Sequence, residues 1–289
     1  MFQVVEKDLT KFSTIRTPSF AKYFSIINSV NDMDKAMYFI KEKKINFKII
    51  GNGSNILFSK EYYDDILFLQ LGDSFNKIDY FDNYVEIGGS FSLIQAGRQL
   101  INKGYSDFIF FNLIPATIGG AVRQNAGTGD GEEIMDVCLS VLVYDLKKQK
   151  LIELLLNHMD FSYRNSIIKK HPNRYIVFSA KFKLENRSAN IDELVLNMKN
   201  RVKEKTDREP KGFCFGSTFM NLDKPAWEYI DMIYNDLGKV NKINFSSKHK
   251  NWIINNGYSG LDVKKLINST QKILFDKLSV KLKEEVDII

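Results

Sequence analysis

Apolar positions recur along the chain at two spacings, one near 3.6 residues and one near two. In 32–40, Met33, Ala36, Met37 and Ile40 fall at helical spacing behind Asp32 and Asp34, whose carboxylates suit a helix start. The runs 46–50, 65–71 and 84–87 predict strands; the first stops at Gly51 and the third at Gly88-Gly89. Ser92 caps a predicted helix, Leu93–Asn102, that Gly104 ends. A glycine-rich stretch covers 115–131. Beyond it, 137–146 and 175–184 predict strands, and 191–205 a helix with Leu194, Val195, Met198 and Val202 on one face. Near Asp207 the pattern changes, as Pro210, Lys211, Gly212 and Gly216 interrupt it. A helix at 226–237, a short strand at Trp252-Ile253-Ile254 and a last helix at 262–278 complete the prediction. There is no internal repeat. The fold class is α+β, with a strand-rich first two thirds and a smaller C-terminal α/β unit.

Composition narrows the function. The 289 residues suggest about two domains, and 44% hydrophobic against 26% charged residues is an ordinary globular balance. The excess of 41 Lys+Arg over 35 Asp+Glu, +6, suits phosphates or nucleotides but is dispersed, with no run of five basic residues. An RNA-binding module is therefore a weaker reading than a small-molecule enzyme, and no nucleic-acid partner is expected. Cys138 and Cys214 form no CxxC, and His158, His171 and His249 are scattered, so neither a disulfide framework nor a metal site is expected. Neither a signal-peptide pattern nor an apolar run long enough to span a membrane is visible, so the expected compartment is the cytoplasm, without membrane association.

Four segments carry candidate chemistry. Gly51-Asn52-Gly53-Ser54-Asn55 follows a strand, and closely spaced glycines let backbone amides turn toward a phosphate; a tight inter-strand loop has the same composition. The small residues of 114–127 would let backbone lie flat on a planar ligand, or pack as a buried turn. Tyr163-Arg164 sets a guanidinium, the natural clamp for a carboxylate, in a polar loop. Ser217 follows Gly216 among Phe213, Phe215 and Phe219, where a hydroxyl in a water-poor pocket could donate a proton or merely cap a turn. GxSxG spacing is lacking, so serine-hydrolase chemistry is not expected. Glu285 lies in a segment that reads locally as an ordinary charged chain end.

Taken in order, these segments resemble the flavin-dependent UDP-N-acetylenolpyruvoylglucosamine reductases (MurB family), nearly end to end. Thr14-Ile15-Arg16-Thr17 with Ala21 is similar to an N-terminal Arg-containing motif, and Gly51-Asn52-Gly53-Ser54-Asn55 to a GxGSN loop. Residues 114–127 resemble IPGTxGGAxxxNAG, Tyr163-Arg164 a YR element, 216–221 GSxFxN, 247–253 SxKHxNF, and 282–286 LxxEV. The resemblance implies a two-subdomain FAD-binding fold of the vanillyl-alcohol oxidase type at 1–72 and 73–206. It also implies a substrate domain at 207–289 whose tail returns to the active site. FAD held noncovalently and NADPH as hydride donor are the implied cofactors. The implied reaction converts UDP-N-acetylenolpyruvoylglucosamine to UDP-N-acetylmuramate in peptidoglycan precursor synthesis. A monomer is expected.

The resemblance assigns roles residue by residue. Arg164, Ser217 and Glu285 are the implied catalytic residues. Gly51, Asn52, Gly53, Ser54, Asn55, Pro115, Thr117, Gly119, Gly120, Ala121, Asn125, Ala126 and Gly127 are the implied flavin contacts. Tyr163, Asn221, Lys205 and Arg208 are the implied contacts to the UDP-sugar. Hydride addition pushes negative charge into the enolpyruvyl carboxylate, where a fixed cation is effective. Glu285 helps only if it is protonated or orients a donor. Several positions depart from the pattern: Ala116 replaces a glycine, 128–131 replace an aromatic-containing AYG, Met220 replaces a lysine, and 241–245 stand where glycines are usual. A paralogue acting on another nucleotide sugar is the alternative these departures leave open.

Overall fold

In the computed structural model, residues 2–240 and 243–289 are described; Met1, Asn241 and Lys242 lie outside the described residues. The chain divides into two compact units. The first comprises Met1–Val5, Phe24–Asn52 and Asp65–Lys205; the second comprises Glu6–Tyr23, Gly53–Asp64 and Thr206–Ile289.

The first unit is built on a five-stranded antiparallel sheet in the order Ile78–Tyr80, Tyr84–Gly88, Tyr175–Lys183, Cys138–Asp145, Lys150–Leu155. Tyr175–Lys183 is central, pairing Ala180 with Ile87 on one side and Val141 on the other. Its residues are almost continuously buried, as a strand covered on both faces should be. Against it pack the helices Leu93–Asn102 and Ile118–Gln124 and the aromatic turn Ser106–Leu113, where Phe108, Phe111 and Phe182 meet edge to face. Gly97 lets the first of these helices close on that turn, since a Cβ there would stand 2.6 Å from Asn112 Nδ2. Also in this unit, Asn46–Ile49 runs parallel to residues 66–69, with Asn46 opposite Ile66.

The second unit is organised by the helix Gly260–Leu278. Its face of Val263, Leu266, Ile267, Thr270 and Leu274 is buried, the three-and-four spacing that one helical stripe requires. Ser259 and Asp262 form a capping box at its start. A Cβ at Gly260 would lie 1.8 Å from the Phe58 carbonyl oxygen, so the helix rests directly on backbone. Ile15, Leu57, Phe215, Phe219, Ile230 and Ile253 complete this core. The strand Asp287–Ile288 runs parallel to Ile56–Leu57.

Four sequence expectations need correction. The first helix is Val30–Lys43 and its cap is Ser29, whose hydroxyl accepts from Asp32 N; Asp32 accepts from Asn28 N, and Asp34 from the Tyr144 hydroxyl. The glycine-rich stretch contains the helix Ile118–Gln124, because Gly119 lies against the Gly89 carbonyl, with a Cβ only 3.1 Å away, and packing overrides propensity. The helix expected at 226–237 is two, Ala226–Met232 and Tyr234–Val240, broken at Ile233, which leaves helical geometry (φ −116°, ψ 9°) with its side chain buried. Trp252 and Ile253 make single bridges to Ser217 and Phe245 rather than a ladder, their partners being irregular segments.

Candidate functional site

In the first unit, the strand Asn46–Ile49 delivers Gly51 against Thr117. A Cβ on Gly51 would stand 2.6 Å from Thr117 Oγ1, so a side chain at 51 is excluded by contact. Thr117 caps Ile118–Gln124, its hydroxyl accepting from Gly120 N at 3.3 Å. The two small-residue segments thus meet at Gly51 and Thr117. Pro115 and Gly120 are exposed, Gly119 is half-buried, and Ala121 is on the buried face of the helix.

At the other end of this helix, Asn125 ends it in the left-handed region (φ 44°), which asparagine tolerates. Its Nδ2 donates to Glu133 Oε2 (2.8 Å) and Ser162 O (3.1 Å), and its Oδ1 accepts from Met135 N (3.0 Å). Ala126 N returns to Ala121 O. Gly127 cannot carry a side chain, because a Cβ would stand 2.3 Å from Glu132 O. Its carbonyl accepts from Arg164 Nη2 at 2.8 Å. Arg164 is itself left-handed (φ 53°), pairs with Glu133 Oε1 at 3.5 Å, and lies over the ring of half-exposed Tyr163. Lys169 Nζ closes the loop, donating to Arg164 O (3.0 Å) and Gln124 Oε1 (2.8 Å). Arg164 is therefore brought to Asn125, Ala126 and Gly127. The loop that departs from the family pattern is tied to the helix Ile191–Arg208 by an ion pair between Arg201 and Glu132. Lys205 and Arg208 stand on the last turn of that helix.

In the second unit, Gly53 (φ 67°) continues the first loop. A Cβ there would clash with Phe12 O at 1.9 Å, and the Gly53 carbonyl accepts from Thr14 N and Oγ1 (3.0 and 3.3 Å). Asn55 Nδ2 donates to Glu285 O at 3.0 Å, and Asn55 O accepts from Asp287 N at 3.0 Å. Glu285 N in turn donates to Thr218 O at 2.8 Å. This chain of bonds sets Asn55, Glu285 and the half-buried Ser217 together. Buried Asn251 supports them: its carbonyl accepts from Thr218 N, its Oδ1 from Phe219 N, and its Nδ2 donates to Phe219 O at 2.9 Å. Asn221 Oδ1 accepts from Ala226 N, fixing the start of the next helix. Asn52 is exposed and Ser54 half-buried. The His249 imidazole leans on Trp252, and burial lowers its pKa, which suits the Nδ1 lone pair that accepts from Asn251 N at 3.3 Å.

Residues 21–154 match the FAD binding domain family, and 207–289 match the C-terminal domain of UDP-N-acetylenolpyruvoylglucosamine reductase. The chain is 30% identical to the UDP-N-acetylenolpyruvoylglucosamine reductase of Caldicellulosiruptor saccharolyticus over 98% of its own length and 91% of that protein. The chain belongs to the UDP-N-acetylenolpyruvoylglucosamine reductase family. The enzyme of that name from Clostridioides difficile is also 30% identical, over 99% of this chain and 92% of its own. The crystal structure of the Thermus caldophilus MurB shares the fold, at 22% identity and a TM-score of 0.79, covering 100% of this chain and 99% of that one. The α+β, FAD-binding architecture inferred from the sequence stands.

The donor set fits a flavin dinucleotide. Gly53 and Gly216 (φ 82°) hold backbone conformations that side chains rarely adopt, and a Cβ at Gly216 would meet nothing within 4 Å, so backbone there is open to a ligand. Two buried polar atoms of the second unit, Arg16 Nη1 and Thr218 Oγ1, have no protein partner. Sequence reasoning missed Glu133, Lys169 and Asn255, and placed Asn251 in a family element without a role. Glu133 was the most accessible, since Glu133 and Asp136 flank the start of an apolar turn and form a capping box. Asn251 and Asn255 act on backbone far away in sequence, which no local pattern reveals.

Proposed function

We infer that this protein is an NADPH-dependent flavin reductase that converts UDP-N-acetylenolpyruvoylglucosamine to UDP-N-acetylmuramate in peptidoglycan precursor synthesis. Support comes from membership of the family along nearly the whole chain, together with the bonds linking Asn55, Glu285 and the Ser217 segment. FAD, when bound, supplies the hydride that it has received from NADPH. Gly51, Asn52, Gly53, Ser54 and Asn55, with Pro115, Thr117, Gly119, Gly120, Ala121, Asn125, Ala126 and Gly127, would hold it.

Hydride adds to the terminal alkene carbon and a proton to the carbon bearing the carboxylate, so the enolpyruvyl ether becomes a lactyl ether. Arg164 stabilises the charge pushed into that carboxylate, held in advance so that it need not reorganise during the step. Ser217 donates the proton from its hydroxyl. A serine is a weak acid, and its donation depends on a site that favours the alkoxide left behind. Glu285 acts from the segment bonded to Thr218. Tyr163, Asn221, Lys205 and Arg208 contact the nucleotide sugar. Residues 1–72 and 73–206 serve as the flavin-binding subdomains and 207–289 as the substrate domain. The protein acts as a cytoplasmic monomer; among the described residues no helix is long and apolar enough to cross a membrane.

The test is purification followed by assay. A protein with the yellow absorption of oxidised flavin should consume NADPH only when UDP-N-acetylenolpyruvoylglucosamine is present. A colourless protein that binds no added FAD, or NADPH consumption indifferent to that sugar, would refute the reading.

A further inference from the structure

Arg16 stands out within the second unit. Its backbone is left-handed (φ 58°), a conformation that non-glycine residues occupy only where the surroundings impose it. The surroundings do so on both sides. Arg16 N donates to Ser13 O at 3.1 Å, Ile15 O accepts from Asn255 Nδ2 at 2.8 Å, and Thr17 Oγ1 donates to Phe58 O at 3.2 Å. Ser13, Ile15 and Thr17 are all fully buried. The chain is thus clamped on both sides of Arg16, which stays partly exposed between buried Ile15 and Thr17. Its guanidinium lies over the ring of Phe213, 5.8 Å from the centroid, and its Nη1 is shielded from solvent without a hydrogen-bond partner.

A shielded, unpaired N–H on a permanent cation is costly, and a bound anion is one partner that would relieve the cost. A planar fork of donors selects an anion with paired oxygens. The neighbourhood narrows the anion further. Thr14, two residues earlier, places both its amide and its hydroxyl on the carbonyl of Gly53, so the Arg16 turn and the glycine loop are one packed structure. Asn255, which holds Ile15, also pairs with Phe213, four residues before Ser217.

We propose that Arg16 binds a nucleotide diphosphate, donating to it the N–H that the protein leaves unpaired. This rests on the function proposed above, in which three ligands carry that group: FAD, the UDP-sugar and NADPH. Direct binding separates them and separates this proposal from that reading, because none of the measurements needs turnover. FAD affinity is read by flavin fluorescence on the apoprotein, and UDP and NADP+ affinities by calorimetry on the flavin-loaded protein. Arg16→Ala is expected to weaken one of the three at least tenfold and leave the other two within twofold. Arg16→Lys, or added methylguanidinium with the alanine variant, should restore part of the loss. The ligand affected identifies which diphosphate Arg16 serves. Affinities all within twofold of the parent would overturn the proposal. So would a uniform loss accompanied by a lower melting temperature and no recovery with lysine or methylguanidinium, which would mark Arg16 as structural. If the alanine variant does not fold, Arg16→Gln, which keeps the length and loses the charge, takes its place with the same outcomes.

Discussion

Arg164 and Ser217 are held in place by different means. Around Arg164 the work is done by side chains: Glu133 pairs with the guanidinium and with Asn125, and Lys169 ties the Arg164 carbonyl to Gln124. Around Ser217 it is done by backbone: Ser217 bridges Trp252, Thr218 O accepts from Glu285 N, and Met220 N donates to Lys283 O. A charge that must be aimed needs neighbours that fix a long, flexible side chain. A hydroxyl on a short side chain has a single heavy-atom torsion left to fix once its backbone is placed. The first region should therefore be sensitive to side-chain changes around the guanidinium, and the second to changes in the few side chains that hold backbone.

The largest effect should follow from removing the hydroxyl itself. Since backbone bonds place residue 217, Ser217→Ala should leave the fold and flavin reduction by NADPH intact. Product formation should fall about 100- to 10,000-fold, the usual contribution of a general acid. Rapid-mixing kinetics of the two half-reactions check this. An equal loss in both halves would mean that the serine only shapes the site.

Asn251 tests the second region's reliance on a single side chain. It is buried and satisfies both backbone groups of Phe219. Asn251→Ala leaves them unpaired, which should cost about 2–3 kcal/mol of stability in urea unfolding. Glu133 tests the first region. Glu133→Ala should lower kcat roughly tenfold, equivalent to about 1.4 kcal/mol, with KM little changed and Glu133→Gln recovering part. A loss confined to melting temperature would reduce Glu133 to a helix cap.

The same contrast explains what the sequence made legible. The helix Leu93–Asn102 with its Ser92 cap and the last helix were readable because each buries one periodic stripe, and the central strand near 175–183 because it is a short run, apolar and buried nearly throughout. The order of Gly51, Gly127, Arg164, Ser217 and Glu285 was readable as a family pattern. The helix Ile118–Gln124 was not, because Gly119 and Gly120 look like breakers until the close contact with Gly89 is seen. Nor was the link from Asn55 to Glu285, a bond across 230 positions. Periodicity reports what a segment buries, not which distant backbone its polar side chains will hold.

The smallest effect concerns His249, where the second region depends on charge rather than on a bond alone. Burial holds its pKa below the ordinary 6.5, and Nδ1 accepts from Asn251 N, which requires a lone pair there. Glu209 acts in the opposite sense, favouring the protonated ring, but more weakly than burial opposes it. The unfolded chain therefore takes up a proton at a higher pH than the folded one. Above about pH 6.5 both forms are neutral and stability is at its full value; as the pH falls below that, the unfolded state is favoured until the folded ring is protonated as well. Urea midpoints measured from pH 7.5 to pH 5 should show the parent losing stability relative to His249→Asn, whose amide oxygen can keep the acceptor without titrating. The difference should stay below the loss expected for Asn251→Ala. Parallel curves for the two proteins would show that the imidazole is not the group that links this region to pH.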